Sequence, residues 1–170
     1  MPDDGYSSDY FGESVAMDND YIVVGAPYDD DTYTDQGSAY IYKRYGTNWQ
    51  LEYKVYASDR AQSDYFGRSV SISEKWIIIG ASHDDNSQTD QGSAYIFRRD
   101  GTQMAKLYAS DYAASDLFGY AVSISGDYAA IGAYYDDDNF SNSGSVYIFH
   151  WDGSNWTQQD KLTVSDGYSS

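Results

Sequence analysis

The chain contains no cysteine and only two prolines among its 170 residues. Without cysteine it has no disulfide framework, no thiolate ligands for zinc and no cysteine nucleophile. No apolar run approaches the ~18 residues of a membrane-spanning helix, so we expect no membrane insertion. The first residues, MPDDGYSSDY, lack the basic and apolar regions of a signal peptide. Disulfide, thiolate and membrane-spanning classes of protein are therefore set aside.

Basic residues are also scarce. Ten lysines and arginines stand against 27 aspartates and glutamates, which gives a formal net charge of −17. Nucleic acids and anionic membranes both need a basic surface, so neither is expected as a partner. The same negative charge favours cations.

Aromatic residues, in contrast, make up 18% of the chain, and 20 of them are tyrosines. They supply enough apolar surface to fold despite the high charge. Tyr, Ile, Val and Phe alternate with Gly, Asp and Asn turn signals, and no segment has a helical period. This composition predicts an all-β protein.

Three segments of the sequence align with one another without a gap. They are DYFGESVAMDNDYIVVGAPYDDDTYTDQGSAYIY, DYFGRSVSISEKWIIIGASHDDNSQTDQGSAYIF and DLFGYAVSISGDYAAIGAYYDDDNFSNSGSVYIF, beginning at Asp9, Asp64 and Asp116. The periods are 55 and 52 residues. We therefore predict one repeat domain over residues 1–170, with repeats at approximately 9–63, 64–115 and 116–170.

Each repeat reads as four short strands. In the second repeat the first strand, SVSIS, alternates apolar and small polar residues, which is typical of a half-buried strand. The second, WIIIG, is apolar throughout and should be buried on both faces. The third is GSAYIF, and the fourth ends in KVYAS, KLYAS or KLTVS in the three repeats. Such four-stranded units are what the blades of a β-propeller require.

The motifs DYFG, SVAM and YIVVGAP, with their counterparts FGRSVSIS, IIIGAS, FGYAVSIS and AAIGAY, resemble the FG-GAP repeat. That repeat builds the propeller head of integrin α-chains and of many bacterial extracellular proteins, and the bacterial group is the more similar one. The resemblance covers essentially the whole chain. It implies an extracellular or cell-surface propeller fold, whereas function does not follow from fold alone.

One feature departs from the integrin pattern. Integrin repeats carry an Asp-rich calcium loop between the first two strands of a blade, but here that connection is only MDNDY, SEKW or SGDY. The acidic residues lie instead after the second strand. Calcium binding therefore does not transfer from the family residue by residue.

Oxygen-bearing side chains occupy four equivalent positions in all three acidic loops. A Ca²⁺ ion takes six to eight oxygen ligands, and adjacent carboxylates repel one another without a counterion. The predicted Ca²⁺ ligands are Asp29, Asp30, Asp31 and Asp35; Asp84, Asp85, Asn86 and Asp90; and Asp136, Asp137, Asp138 and Asn142. The alternative is that these side chains only accept hydrogen bonds from nearby backbone N–H groups in turns.

Catalytic residues are not predicted. A carbohydrate-active enzyme with paired carboxylates is a remote alternative, but no carboxylate stands apart from the repeat pattern. His83 replaces Tyr28 and Tyr135 of the other repeats, which indicates a variable loop position. No nucleophile elbow, phosphate loop or zinc-protease motif is present.

Two aromatic residues, Tyr33 and Phe140, occupy equivalent places in acidic loops and are candidate ligand-binding residues. Packing across the loop onto a neighbouring blade is the alternative. Trp49 and Trp156 match each other, and we expect a structural role for both. Asn139 and Asn155 begin glycosylation sequons, which matter only in a secreted protein.

Three blades cannot close a propeller, which takes about four to eight. The pentapeptide DGYSS occurs both at residues 4–8 and at 166–170, and a further DYF in register would place its phenylalanine at position 173. Either the chain comes from a longer array, or separate copies associate head to tail into a ring or filament.

The sequence thus predicts a non-enzymatic extracellular scaffold or adhesion module with cations in its acidic loops. The alternative is a self-assembling structural subunit. The expected partners of the protein are further copies of itself and, in addition, a protein or glycan ligand.

Overall fold

The protein is described by a computed structural model that covers residues 8–138 and 140–164. These residues form twelve strands, and no helix in this part of the chain is long and apolar enough to cross a bilayer. The strands are β1 (Ser14–Asp18), β2 (Tyr21–Ala26), β3 (Ser38–Tyr45), β4 (Asn48–Val55), β5 (Ser69–Ser73), β6 (Trp76–Ala81), β7 (Ser93–Arg98), β8 (Gln103–Leu107), β9 (Phe118–Ser125), β10 (Tyr128–Ala133), β11 (Ser145–Trp151) and β12 (Trp156–Thr163).

The strands form three separate four-stranded antiparallel sheets, each in chain order. We call β1–β4 blade one, β5–β8 blade two and β9–β12 blade three. In every blade the pairing of the third and fourth strands shifts register at the same point, after Ile41, Ile96 or Ile148. The prediction of an all-β, propeller-like array of three blades is confirmed.

Burial within blade two follows the sequence pattern. All six residues of β6 are buried, whereas most of β5 is half-buried. The reason is position, because β6 lies inside its sheet and blade two has a neighbouring blade on each side. The apolar run WIIIG is therefore fully buried, as predicted.

The fourth strands end earlier than the sequence suggested. β4 ends at Val55 and β8 at Leu107, before the YAS segments. Ala57 and Ala109 are instead buried in the clusters that join a blade to the next one. These segments therefore begin the connection between blades.

The hydrophobic core lies between the blades. One cluster joins blades one and two around Phe66, and a second joins blades two and three around Phe118. Trp156 packs on Trp76 of the preceding blade at a ring distance of 5.6 Å. Its counterpart Trp49 is 38% exposed, because blade one has no preceding blade in the described chain.

Candidate functional site

The acidic loops join the second and third strands of each blade, at residues 27–37, 82–92 and 134–144. The first carboxylate of each loop, from Asp29, Asp84 or Asp136, is buried. A buried carboxylate needs hydrogen-bond partners or an opposite charge. The structure supplies both from the same blade.

In blade one, a lysine of the fourth strand closes the loop. Lys54 Nζ lies 2.8 Å from Oδ2 of Asp29. Ser38 Oγ donates a hydrogen bond to the same oxygen at 2.8 Å, and the Tyr40 hydroxyl donates at 3.1 Å. Three protein donors therefore occupy one oxygen of this carboxylate.

Blade two repeats the arrangement and adds a second carboxylate. Lys106 Nζ lies 2.6 Å from Asp84 and 2.7 Å from Asp59, which belongs to the connection from blade one. The Tyr95 hydroxyl lies 2.9 Å from Asp59 and 3.2 Å from Asp84. One ammonium group thus balances two carboxylates.

Blade three contains the same group. Lys161 Nζ lies 2.8 Å from Asp136 and 2.9 Å from Asp111, and it also contacts Asp138. The Tyr147 hydroxyl lies 2.6 Å from Asp136 and 2.9 Å from Asp111. We call this repeated set the lysine cluster, with residues Asp29, Tyr40 and Lys54; Asp59, Asp84, Tyr95 and Lys106; and Asp111, Asp136, Tyr147 and Lys161.

Electrostatics at Asp29 and Lys106 favour the charged forms of both groups. Burial by itself raises the pKa of Asp29, but hydrogen bonds from Lys54 and Ser38 outweigh it and hold the pKa below its usual value. Burial lowers the pKa of Lys106, whereas Asp59 and Asp84 raise it above its usual value in sum. The burial of Tyr40 raises its pKa to about 12, so this hydroxyl stays a donor at neutral pH.

The second and fourth positions of the loop shape its backbone. Asp30 accepts a hydrogen bond from the backbone N–H of Asp35 at 2.7 Å, and Asp85 accepts one from Asp90 at 2.8 Å. Asp35, Asp90 and Asn142 have φ angles of 53°, 51° and 53°. Asp and Asn tolerate this left-handed conformation better than most residues. Backbone geometry therefore accounts for Asp or Asn at the fourth position.

The third position is less uniform. Asp31 and Asn86 are exposed, and so are Asp137 at the second position and Asp138 at the third position in blade three. The backbone N–H of Asp31 donates to Asp29 at 3.1 Å, and that of Asp138 donates to Asp136 at 3.3 Å. The first carboxylate thus caps the turn that follows it.

The predicted Ca²⁺ ligands do not fit an enclosed metal site. Within residues 8–138 and 140–164, no three Asp, Glu or His side chains converge in a way that could hold a metal ion. The carboxylate that would begin such a site is bound to Lys54, Lys106 or Lys161. The geometry favours turn capping and a lysine counterion, and Ca²⁺ binding stays a prediction for experiment.

The other predicted site residues lie at the surface. Tyr33 is 48% and Phe140 is 40% exposed, each near the tip of its loop. Asn155 is exposed in the turn before β12, and its backbone N–H donates to Asp152 at 2.8 Å. Asn139, the start of the other sequon, lies outside the described residues.

Both histidines pack against tyrosine rings. His83 contacts Tyr65 edge-on at 4.8 Å, and its Nδ1 lies 3.0 Å from Ser82 Oγ. Burial lowers the pKa of His83, which favours the neutral form. His150 packs on Tyr128 at 4.4 Å. His83 lies within the acidic loop of blade two, and its variability stays a prediction.

The lysines were missed by sequence reasoning, although a signal was present. Only ten basic residues occur in the chain, yet Lys54, Lys106 and Lys161 stand at the same repeat position, the first letter of KVYAS, KLYAS and KLTVS. The connection residues Asp59 and Asp111 were also missed. They follow these segments in the sequence, and only the fold brings them to the lysine of the next blade.

A second repeated feature joins the blades. We call residues 9–12, 64–67 and 116–119 hooks one, two and three. Phe66 of hook two donates its backbone N–H to the carbonyl of Gln36 at 3.0 Å, and Phe118 of hook three donates to Gln91 at 2.9 Å. The bridges Gly37–Phe66 and Gly92–Phe118 are parallel. The ends of the first two acidic loops therefore hold the hook of the next blade.

The hooks approach the preceding blade too closely for a side chain at the contact. A Cβ on Gly25 would lie 2.0 Å from the carbonyl oxygen of Gly67, and one on Gly80 would lie 2.0 Å from that of Gly119. Ser14 Oγ donates to the Gly67 carbonyl at 2.7 Å, which fixes the hook further. Glycine is thus required in the second strand because another backbone packs directly on it.

Comparison with known proteins bears on this repeated architecture. No curated protein sequence is significantly similar to the chain. The family model described as the FG-GAP repeat matches residues 1–42, 49–97 and 102–149. Each matched stretch contains one hook and most of the three strands that follow it, and together they span most of the sequence. The chain therefore belongs to the FG-GAP repeat family.

Proposed function

We propose that the chain is a non-enzymatic scaffold or adhesion module that acts outside the cell. The observation that carries this proposal is the lysine cluster, which recurs in each blade. It engages the buried carboxylates that general acid or base catalysis could have used. The extracellular location is proposed from the family, whose integrin and bacterial members act there.

The same cluster leads us to propose that a lysine, and not Ca²⁺, closes each acidic loop. A ligand that binds only the folded state raises the melting temperature by mass action. We expect equal melting temperatures in EDTA and in millimolar Ca²⁺ when ionic strength is matched with Mg²⁺. A rise in melting temperature that is specific to Ca²⁺ would instead support cation binding by the acidic loops.

Two surfaces support binding of a protein or glycan partner. One consists of the exposed rings of Tyr33 and Phe140 at the loop tips. The other is an open cleft of about 840 Å³ across the three blades, whose lining includes Tyr53, Arg98 and Trp151. Aromatic rings beside charged groups suit polar ligands such as sugars.

A glycan array combined with a hydrolysis screen tests binding against catalysis. We expect glycan binding that is weakened by Tyr33→Ser or Arg98→Ala, with no release of reducing sugar. Gln88→Ser, at the loop position of blade two that has no aromatic residue, serves as the control. Release of reducing sugar by the wild-type chain would favour the carbohydrate-active enzyme.

A second candidate function is a self-assembling structural subunit. The contact that joins neighbouring blades occurs twice, and each outer blade has one half of a further such contact uncovered. Phe11 in hook one of blade one is 48% exposed, and Val164 after the last strand of blade three is also 48% exposed. We expect light scattering to show a particle mass that rises with concentration. A stable monomer at micromolar concentration would count against this function.

A further inference from the structure

The chain contains two finished examples of one docking contact. We define the groove of a blade as the surface that receives the next hook: Gly25, Ala39, Val55 and Ala57 in blade one, Gly80, Ala94, Leu107 and Ala109 in blade two, and Gly132, Val146, Leu162 and Val164 in blade three. Phe66 lies in the first groove and Phe118 in the second, and both rings are fully buried.

The groove of blade three is built from equivalent residues but is uncovered. It forms a cleft of about 660 Å³. Val146, Leu162 and Val164 are 38%, 51% and 48% exposed, whereas their counterparts in blades one and two are at most 6% exposed. An exposed apolar cleft of this kind is typical of an interaction surface, and the equivalent clefts of blades one and two each bind a hook.

Hook one is the matching half, and it is already in position. Phe11 packs edge-on against Tyr40 at 5.1 Å, as Phe66 packs against Tyr95 at 5.5 Å. Tyr10 is 61% exposed, although its counterpart Tyr65 is held between Tyr28 and His83. Hook one therefore has the conformation of a docked hook and lacks only the groove that would cover it.

We propose that the groove of blade three binds hook one of a second copy of this chain, which rests on the self-assembly candidate above and names its contact. By equivalence with hook two, the backbone N–H groups of Tyr10 and Phe11 donate to the carbonyls of Asn142 and Ser143. The second copy's Gly12 carbonyl packs over Gly132. The ring of Tyr10 packs on Tyr135, which is 43% exposed.

Such a contact is heterologous, because hook and groove are different surfaces of one molecule. After one contact has formed, the pair still has one free hook and one free groove. Association therefore continues, either until a ring closes or as a growing open filament. Two copies supply six blades, a number within the range of closed propellers. A pair joined hook to hook or groove to groove is excluded by this geometry.

Gly132 provides a substitution that tests the contact without damaging the blade. A Cβ on Gly132 meets only its own Ala121, at 3.6 Å and beyond, and its φ angle is compatible with a side chain. The equivalent Cβ on Gly80 would lie 2.0 Å from a docked hook. We therefore expect Gly132→Val to fold and stay monomeric, whereas Gly80→Val should fail to fold.

The complementary variant removes the hook. Phe11→Asp places a charge where a docked ring would be buried, and the ring is half-exposed in the single chain, so folding should persist. Gln88→Val, which adds an apolar side chain on an exposed loop, is the control and should assemble as the wild type does.

Mixing the two variants gives the decisive measurement. Gly132→Val keeps its hook and Phe11→Asp keeps its groove, so an equimolar mixture should form a dimer that cannot grow, as measured by light scattering and native mass spectrometry. If the wild type assembles and both variants assemble equally well, this contact is wrong and self-assembly stands. If the wild type is monomeric up to millimolar concentration, self-assembly itself is wrong. Should Gly132→Val misfold, assembly of Phe11→Asp decides alone.

Discussion

Lys54, Lys106 and Lys161 act as internal counterions. Each ammonium group reaches the buried first carboxylate of its acidic loop, and in blades two and three it also reaches the carboxylate of the preceding connection. An ammonium group held at this position offsets the repulsion between carboxylates, which would otherwise favour a bound metal cation. At the scale of single residues, the loops depend on lysine.

Replacing Lys106 by methionine keeps the apolar stem and removes the charge. Asp59 and Asp84 would then keep the Tyr95 hydroxyl as a neighbour but lose the ammonium group between them. Breaking a buried ion pair lowers the free energy of unfolding by about 3 to 5 kcal/mol. Because Asp59 is half-exposed, we expect a loss near the lower value in urea unfolding. Lys75→Met is the control, because the exposed Lys75–Asp127 pair should contribute less than about 1 kcal/mol. Equal losses for both variants would contradict the role of Lys106.

Asp64, the first residue of hook two, gives the stability an unusual pH dependence. Burial raises the pKa of Asp64 to about 6, from 3.8 for the free group. The folded state therefore binds the proton more tightly, so Asp64 adds stability as the pH falls from about 6 to about 4. Below that range, stability is lost as Asp29, Asp59, Asp111 and Asp136, whose folded pKa values are depressed, become protonated.

The variant Asp64→Asn isolates this effect, because the amide oxygen can still accept the hydrogen bond from Ala61. We expect urea unfolding of the variant to show a smaller rise in stability between pH 6 and pH 4 than the wild type, since Asp116, whose pKa is also raised by burial, remains. The loss below pH 4 should remain in both proteins. Parallel pH curves over the upper range would show that Asp64 is ionised in the fold.

At the scale of the element, the acidic loop makes two structural contacts. Its first carboxylate ties the loop to the fourth strand of its own blade, and its last residues hold the next hook. In blades one and two the left-handed residue between them, Asp35 or Asp90, redirects the backbone toward that hook. The loop is thus a joint between blades.

Substitutions at Asp90 separate this backbone role from a ligand role. Glycine adopts the left-handed conformation without strain, whereas a β-branched residue there should cost about 1 to 2 kcal/mol. We expect thermal unfolding of Asp90→Gly to match the wild type and that of Asp90→Val to occur at lower temperature. If both variants lose the same stability and only in Ca²⁺, the carboxylate is a metal ligand.

At the scale of the whole molecule, apolar attraction opposes charge repulsion. A chain with a net charge of −17 repels its copies, and this repulsion is screened beyond about 10 Å at 0.1 M salt. The uncovered groove is apolar, and salt does not screen the attraction between apolar surfaces. Association should therefore strengthen as salt is added, measured by sedimentation velocity, while Phe11→Asp stays monomeric throughout. Association that weakens with salt would indicate an ionic contact in place of the groove.

Local signals made much of this structure predictable. The strand β5 has the bounds of SVSIS, and β6 extends WIIIG by one residue. The positions of the acidic loops were also correct. What failed locally was the end of the fourth strand, because Ala57 leaves the sheet to pack under Phe66, and Phe66 belongs to the following repeat.

The repeats, the order of strands and the family follow from the sequence alone, because they depend on local alternation and on three aligned copies of one motif. The tertiary structure decided what the acidic loops bind. Lys54 lies 25 residues from Asp29 in the chain and reaches it across the blade, so neighbouring residues could not reveal the pair. It also decided that Gly25 and Gly80 are covered while Gly132 is open, since an identical glycine differs only in whether another backbone packs on it.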